Sequence, residues 1–237
     1  MAVMRKGTLT RIPAAMLLAV LIAFGAMVAL PLTSTPFAGD MPVFLATGRA
    51  ALAGRNPYAV SAPFVMFGQK TVDATLDPPP SLLYLAPLSR LDLTTAIDVA
   101  AWLSLAMIVA SIVALAWAHR DTATPLTILW ALATGAVSMT ILHREVYGLV
   151  FGFVAAGWLL LRVDRAVSAG ICIGLAVAIK PNLGLWPALL FTAGKKRTAY
   201  AALASWLSVN ALSLALFGPT VYPRWLAAVR RIAPDRI

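Results

Sequence analysis

The chain has 237 residues, of which 61% are hydrophobic and only 12% are charged. Soluble domains are about 45–50% apolar and about 25% charged, so this composition excludes a soluble globular enzyme, a disordered chain and a coiled coil. It predicts an all-α integral membrane protein with several spans, and the formal net charge of +10 must first be interpreted relative to the membrane.

The predicted elements begin with a membrane span over residues 12–32, which basic residues precede. Further apolar segments follow it, so a signal anchor fits better than a cleaved signal peptide. Residues 33–93 then form a long outer loop. Within this loop, residues 41–54 have the pattern of a short interfacial helix, and residues 81–91 are apolar but too short to cross, which predicts a re-entrant segment.

A helical bundle over residues 94–217 follows the loop. Its clear spans are residues 94–118, 124–142, 146–162 and 198–217. The apolar stretch 166–194 is broken at Lys180-Pro181-Asn182, and a charge and a proline in mid-membrane are expensive. Two short half-helices are therefore expected to meet there at a water-exposed turn. Counting both halves gives about seven transmembrane helices in a single membrane domain over residues 1–237.

The charges of the loops orient this bundle. With the N-terminus in the cytoplasm, nine Lys and Arg residues fall in inner loops, and only Arg144 and Lys180 fall in short outer loops. Cytoplasmic loops carry an excess of Lys and Arg, so the chain is predicted to be a multi-pass protein of the cell inner (plasma) membrane, in contact with membrane lipids. Most of the basic residues are then topology signals, and no nucleic-acid partner is expected.

In this orientation, the polar residues that the charge rule for cytoplasmic loops does not explain all lie on the outer face. They are Asp40, Asn56, Tyr58, Asp77, His143, Arg144, Glu145, Lys180 and Asn182. Polar groups at the edge of the membrane are candidates for function, so a catalytic site at the outer surface is expected. Simpler interpretations stay open for Asp40 as a helix N-cap, for Arg144 beside Glu145 as a neutralising pair, and for Lys180 as a side chain that extends to the interface.

Two short motifs in the long outer loop have structural as well as chemical interpretations. Gly54 is a natural helix C-cap and Pro57 a helix stop, but a simple turn does not account for Tyr58. Asp77 precedes Pro78-Pro79-Pro80, which predicts a stiff polyproline segment leading into residues 81–88. Asp77 itself is either an ordinary surface carboxylate or part of the site.

These residues resemble glycosyltransferase family 87, whose members are multi-spanning mannosyltransferases that use polyprenyl-phosphate sugars. Asp40 and Asn56-Pro57-Tyr58 are similar to the family's first outer loop, and Pro78-Pro79 is similar to its Tyr-Pro-Pro element. Residues 170–181 are similar to its segment that ends in Lys-Pro. The resemblance extends from residue 36 to about residue 230.

The resemblance implies an inverting enzyme that moves a hexose, taken to be mannose, from a polyprenyl-phosphate sugar to a lipid or glycan acceptor at the outer membrane face. Asp40 matches the general base that deprotonates the acceptor hydroxyl. Lys180 would offset charge on the leaving phosphate, and the other candidate residues would bind substrate. The lipid-linked sugar is a co-substrate, so no cofactor and no metal site are predicted, and metal dependence is left open.

The chain also departs from the family pattern. Arg144, Glu145 and Tyr147 stand where the family carries Gly-Gln followed by Asn, and Asp77 replaces the Tyr of Tyr-Pro-Pro. The chain is shorter than family members, so an incomplete C-terminus after the amphipathic outer segment 218–237 is expected, with a second chain as a candidate partner. The alternative function is a non-catalytic or degenerate subunit that binds polyprenyl lipid. A small transporter has little support, because no internal repeat is present.

Overall fold

The structure is a computed structural model in which residues 41–60, 77–119 and 147–232 are described. Within these ranges every regular element is helical. The α-helices are α1 (Met41–Leu52), α2 (Leu82–Leu88), α3 (Leu93–Ala118), α4 (Gly148–Arg162), α5 (Ala166–Ile179), α6 (Leu185–Thr192), α7 (Lys196–Phe217) and α8 (Val221–Ile232). Three short 3-10 turns lie between them, at Pro57–Ala59, Pro79–Ser81 and Pro181–Gly184.

The helices confirm the all-helical fold and follow the predicted spans within about two residues. Helices α3 and α7 are long and apolar enough to cross a membrane. Helices α4 and α5, with 15 and 14 residues, are apolar but shorter. The predicted spans 12–32 and 124–142 lie outside the described residues, so the number of seven spans stays a prediction.

Helix α1 forms where an interfacial helix was expected, but it buries most of its surface inside the protein. Phe44 and Leu45 pack against Leu85 of α2 and Ile97 of α3. Gly54 ends the segment with a φ of 67°, in the left-handed region where glycine is favoured, which confirms the predicted C-cap. Tight packing on α2 therefore replaces the predicted contact with the membrane surface.

Helix α2 has seven residues and so rises about 10 Å, against a hydrocarbon core about 30 Å thick. This length excludes a crossing, as predicted for residues 81–91. The prolines before it differ from the prediction, since only Pro78 has polyproline angles and Pro79–Ser81 is a 3-10 turn. The amide and hydroxyl of Ser81 both donate to the Pro78 carbonyl, at 2.9 and 2.7 Å, and close that turn.

Helices α5 and α7 run parallel in close contact. Gly170 packs against the backbone of Thr198, and Gly174 packs against that of Ala202, four residues further along each helix. A methyl group at either glycine would clash with a carbonyl oxygen of α7, so both glycines permit the close approach. Because α5 and α7 are parallel, the chain between them must reverse, and it does so through the predicted break at Lys180-Pro181-Asn182 and the short helix α6.

Helices α3 and α4 are also parallel. Gly148, at the start of α4, packs on Ser104 in the middle of α3, and the Arg162 Nη1 donates to the Ala118 carbonyl at 3.1 Å near the ends of both helices. Helix α5 returns antiparallel to α4 after a short turn. The start of α4 and the end of α5 therefore lie together, level with the middle of α3 and of α7. We call this region, which carries Lys180, the Lys180 end.

Candidate active site

A cation, a carboxylate and a phenol meet at the Lys180 end. The Lys180 Nζ lies 3.6 Å from the Asp77 Oδ1 and 3.8 Å from the centre of the Tyr147 ring. The Tyr147 hydroxyl donates to the same Asp77 Oδ1 at 3.4 Å. The Asp77 side chain is 9% exposed and that of Lys180 is 33% exposed. The cluster therefore presents its positive member to the surroundings and keeps its carboxylate covered.

Helix boundaries position all three side chains. Helix α5 ends at Ile179, and Lys180 is extended (φ −125°, ψ 91°), because a proline disfavours helical angles in the residue before it. Asp77 stands just before the buried Pro79–Ser81 turn, which contacts α5, α7 and α8. Tyr147 is the residue that precedes α4. The three functional groups thus come from separate parts of the chain, each next to the boundary of a helix or turn, and they lie together at the Lys180 end.

Tyr58 places a buried hydroxyl close to this cluster. Its side chain is 2% exposed and packs with Leu82 and Val221. The Asn56 Oδ1 accepts a hydrogen bond from the Tyr58 amide at 3.0 Å and caps the turn that carries the ring. Within the part of the chain that the structure describes, the Tyr58 hydroxyl has no hydrogen-bond partner. Burial raises the pKa of Tyr58, and the Asp77 charge raises it further, so the phenol is a protonated donor at neutral pH.

Helix α8 covers the Tyr58 side of the site. The Tyr222 hydroxyl donates to the Asn210 Oδ1 at 2.6 Å, which ties α8 to α7. Tyr147, Asn210 and Tyr222 were not among the predicted site residues. A lone amide inside an apolar span, as at Asn210, is a signal of a specific polar contact and could have indicated this one.

The sequence comparison now assigns the family. The sequence model of glycosyltransferase family 87 matches residues 76–234, which is the greater part of the chain. The chain belongs to glycosyltransferase family 87. This family 87 protein is accordingly a glycosyltransferase enzyme, and its long apolar helices mark it as a membrane protein. The match includes Asp77, Tyr147 and Lys180, whereas Asp40 and Tyr58 precede it. No curated protein and no solved structure matches the chain significantly.

The predicted site residues of the family 87 protein separate into three groups. Tyr58, Asp77 and Lys180 come together at the Lys180 end. Asn56 acts as a cap, and Asn182 is exposed on the turn after Lys180. The residues outside the described ranges are Asp40, His143, Arg144 and Glu145. Within those ranges, no three His, Cys, Asp or Glu side chains are grouped so that they could hold a metal ion.

Replacing Asp77 with Asn should destabilise the family 87 protein by about 1–2 kcal/mol. The change leaves the Lys180 cation without its carboxylate, and the value lies below that of a fully buried pair because Lys180 is 33% exposed. Chemical denaturation of the purified protein in detergent measures the effect. Asp164→Asn is the matched control, since Asp164 is exposed on the turn after α4. Equal stability of the two variants would contradict a stabilising ion pair.

Proposed function

We propose that this enzyme transfers a hexose from a polyprenyl-phosphate sugar to a lipid or glycan acceptor at the outer face of the plasma membrane, with inversion at the anomeric carbon. The observation that carries the proposal is the partly exposed Lys180 cation at the break between α5 and α6. The family supplies the reaction class. A lipid-linked donor supplies a phosphate, and a partly exposed cation within a membrane bundle is suited to bind one.

Lys180 can stabilise the charge that develops on the leaving phosphate. Its ammonium has three N–H donors, and the Asp77 carboxylate and the Tyr147 ring hold it in place. As the bond between the anomeric carbon and the phosphate oxygen breaks, negative charge grows on that oxygen. A cation fixed in advance, in surroundings of low dielectric, lowers the energy of this transition state without having to reorganise.

Asp40 is the proposed general base. Helix α1 begins at Met41, directly after it, and so anchors the chain next to this carboxylate. The base takes the proton of the acceptor hydroxyl while that oxygen attacks the anomeric carbon from the side opposite the phosphate. The bond to the sugar forms, the bond to the phosphate oxygen breaks, and polyprenyl phosphate leaves with the electron pair.

A comparison of donors tests this function. The purified protein in phospholipid vesicles is given radiolabelled polyprenyl-phosphate mannose, polyprenyl-phosphate glucose or GDP-mannose, with a lipid extract of the host cells as acceptor. We expect transfer from a polyprenyl-phosphate hexose, mannose first, and a product of inverted configuration by digestion with anomer-specific mannosidases. Transfer from GDP-mannose alone, or a product of retained configuration, would overturn the proposal.

A second function, binding of polyprenyl lipid without transfer, is favoured by one observation. Asp77 stands where the family has a tyrosine, and it lies 3.6 Å from Lys180, so it offsets part of the positive charge that a phosphate would meet. This alternative predicts that the purified protein binds undecaprenyl phosphate and transfers no sugar from any of the donors.

Replacing Tyr58 with Phe should separate activity from stability. Removing a buried hydroxyl that has no partner among the described residues removes a desolvation cost, so stability should stay unchanged or rise slightly. Loss of a hydrogen bond to substrate should lower kcat/KM about tenfold. Melting temperature and transfer rate are measured on the same preparation, with Tyr200→Phe as the exposed control. Full activity in the Tyr58→Phe enzyme would exclude a binding role for the hydroxyl.

A further inference from the structure

Two turns at the end of the bundle opposite Lys180 carry a dense group of cations. One turn joins α4 to α5, and the other joins α6 to α7. Because Gly170 packs against Thr198 near the starts of the parallel helices α5 and α7, the two turns lie side by side. The basic side chains on and beside these turns, which we call the basic patch, are all exposed: Arg162, Arg165, Lys195, Lys196 and Arg197.

The charge of the basic patch has no counterpart in the part of the chain that the structure describes. There, no carboxylate forms an ion pair with any side chain of the patch. Asp164 is the single acidic residue in the two turns, against five cations. Neither α5 nor α7 has an acidic residue in its first turn, so the positive ends of their dipoles add to the field. Clustered like charges repel one another, and an anion that binds here relieves that repulsion.

Aromatic side chains place the basic patch at the surface of the membrane. The Lys196 Nζ lies 5.7 Å from the centre of the Phe191 ring, and this ring packs edge to face on Tyr200. Tyr200 is 60% exposed, and Trp117, near the end of α3, is 72% exposed. Exposed aromatic rings are enriched where a membrane protein passes from the hydrocarbon core to the lipid headgroups. The anion that fits this position is therefore a phospholipid, in preference to an acidic protein or a nucleic acid.

We propose that the basic patch binds a phospholipid with two phosphates, of the cardiolipin class, in the cytoplasmic leaflet. The predicted orientation assigns this end of the bundle to the cytoplasm. Two of the cations lie beside the first turn and three beside the second. The axes of packed helices are about 8–10 Å apart, so two phosphates joined by one glycerol can each meet one group of cations. Basic pockets between helices on the cytoplasmic side commonly bind such headgroups.

The proposal does not depend on the reaction that the enzyme catalyses. Helix α5 has 14 residues and rises about 21 Å, and it separates the basic patch from Lys180 by that length. A lipid that bridges the two turns holds the starts of α5 and α7 together. Cardiolipin at about 100 times its Kd should therefore raise the melting temperature of the delipidated protein by about 5 °C or more. No rise under these conditions would contradict the bridging of the two turns.

The main test compares the affinities of cardiolipin and phosphatidylglycerol for the purified full chain in detergent, by native mass spectrometry. The wild type should bind cardiolipin at least about tenfold more tightly, because its second phosphate binds without a further loss of translational freedom. A triple variant removes the cations of one turn while it leaves those of the other: Lys195→Gln, Lys196→Gln and Arg197→Gln. It should bind the two lipids with affinities that agree within about twofold.

A matched triple variant controls for the loss of charge. It removes three exposed cations that lie outside the basic patch: Arg55→Gln, Arg90→Gln and Arg230→Gln. This control should keep the preference of the wild type for cardiolipin. Equal affinities of the two lipids for the wild type would assign the patch to ordinary anionic lipid and overturn the proposal. An equal loss of preference in the two triple variants would also overturn it.

A photolabelling experiment locates the bound lipid. Cardiolipin with a diazirine on its central glycerol should label peptides from both turns, over residues 158–168 and 190–200. Labelling confined to α1, α2 or α8 would place the lipid elsewhere and contradict the proposal. Sugar transfer in vesicles of phosphatidylcholine alone should be equal for the wild type and the patch variant. A failure of the lipid site and a failure of the proposed function therefore give separate results.

Discussion

Replacing Lys180 with Met should lower kcat for sugar transfer by at least about 100-fold, which corresponds to about 2.7 kcal/mol of transition-state stabilisation. Met keeps most of the length of the side chain and removes its charge. The phosphate oxygen then gains negative charge without the Lys180 cation to oppose it, and Asp77, only 9% exposed, loses its ion pair with Lys180. Initial rates at saturating polyprenyl-phosphate mannose measure the effect.

Lys195→Met is the matched control for this variant. Lys195 directly precedes α7, at the end of the bundle opposite Lys180, and it is exposed. Its replacement removes the same charge from the protein and should leave kcat unchanged. Lys180→Arg should recover part of the activity, because a guanidinium restores the charge with a different geometry. An unchanged kcat in Lys180→Met would contradict the proposal that Lys180 stabilises the leaving phosphate.

Replacing Asp40 with Asn should lower kcat by about 100- to 10,000-fold, the usual contribution of general acid–base catalysis. Asn caps helices about as well as Asp, so this change retains any capping of α1 and removes only the base. The rates of both enzymes are measured across pH at saturating donor.

Asp40→Ala completes this comparison, since it removes the base and the cap together. We expect it to be as inactive as Asp40→Asn and, if Asp40 also caps α1, less stable by about 1 kcal/mol. An active Asp40→Asn enzyme with an unstable Asp40→Ala variant would assign Asp40 a capping role alone.

The spans were predictable because each one is encoded locally. Continuous apolar runs gave α3 and α7 nearly to the residue, and Pro181 after a lysine gave the break between α5 and α6. Gly54 predicted the end of α1 in the same way. In each case a few neighbouring residues determine the local backbone conformation. The causes are a long apolar run for the spans, the missing N–H of proline for the break, and the positive φ of glycine for the helix end.

Tyr58, Asp77 and Lys180 were candidate residues in the sequence, but the sequence did not predict that they lie together. Asp77 and Lys180 are more than a hundred positions apart, and their contact depends on the packing of the Pro79–Ser81 turn against α5. The contact of Tyr222 with Asn210 likewise depends on how α8 folds back on α7. Local sequence patterns carry no information on contacts between distant residues. These contacts are therefore seen only in the three-dimensional structure.

The burial of α1 illustrates the same limit. Its sequence has the amphipathic pattern of a helix that lies at a membrane surface. In the structure, however, Gly48 allows the backbone of α2 to approach so closely that a side chain at residue 48 would clash with the Leu85 carbonyl. An amphipathic pattern predicts that one face is apolar, but it does not distinguish a lipid surface from a neighbouring helix.

Recognition of a lipid phosphate by Lys180 is tested most directly by one binding measurement. The affinities of undecaprenyl phosphate and undecaprenol are measured for the wild-type protein and for Lys180→Met in phosphatidylcholine nanodiscs. The two lipids share their tail and differ only in the phosphate. We predict that the wild type binds the phosphate at least about tenfold more tightly than the alcohol, and that Lys180→Met binds the two alike. An equal preference for the phosphate in both proteins would contradict this account of the site.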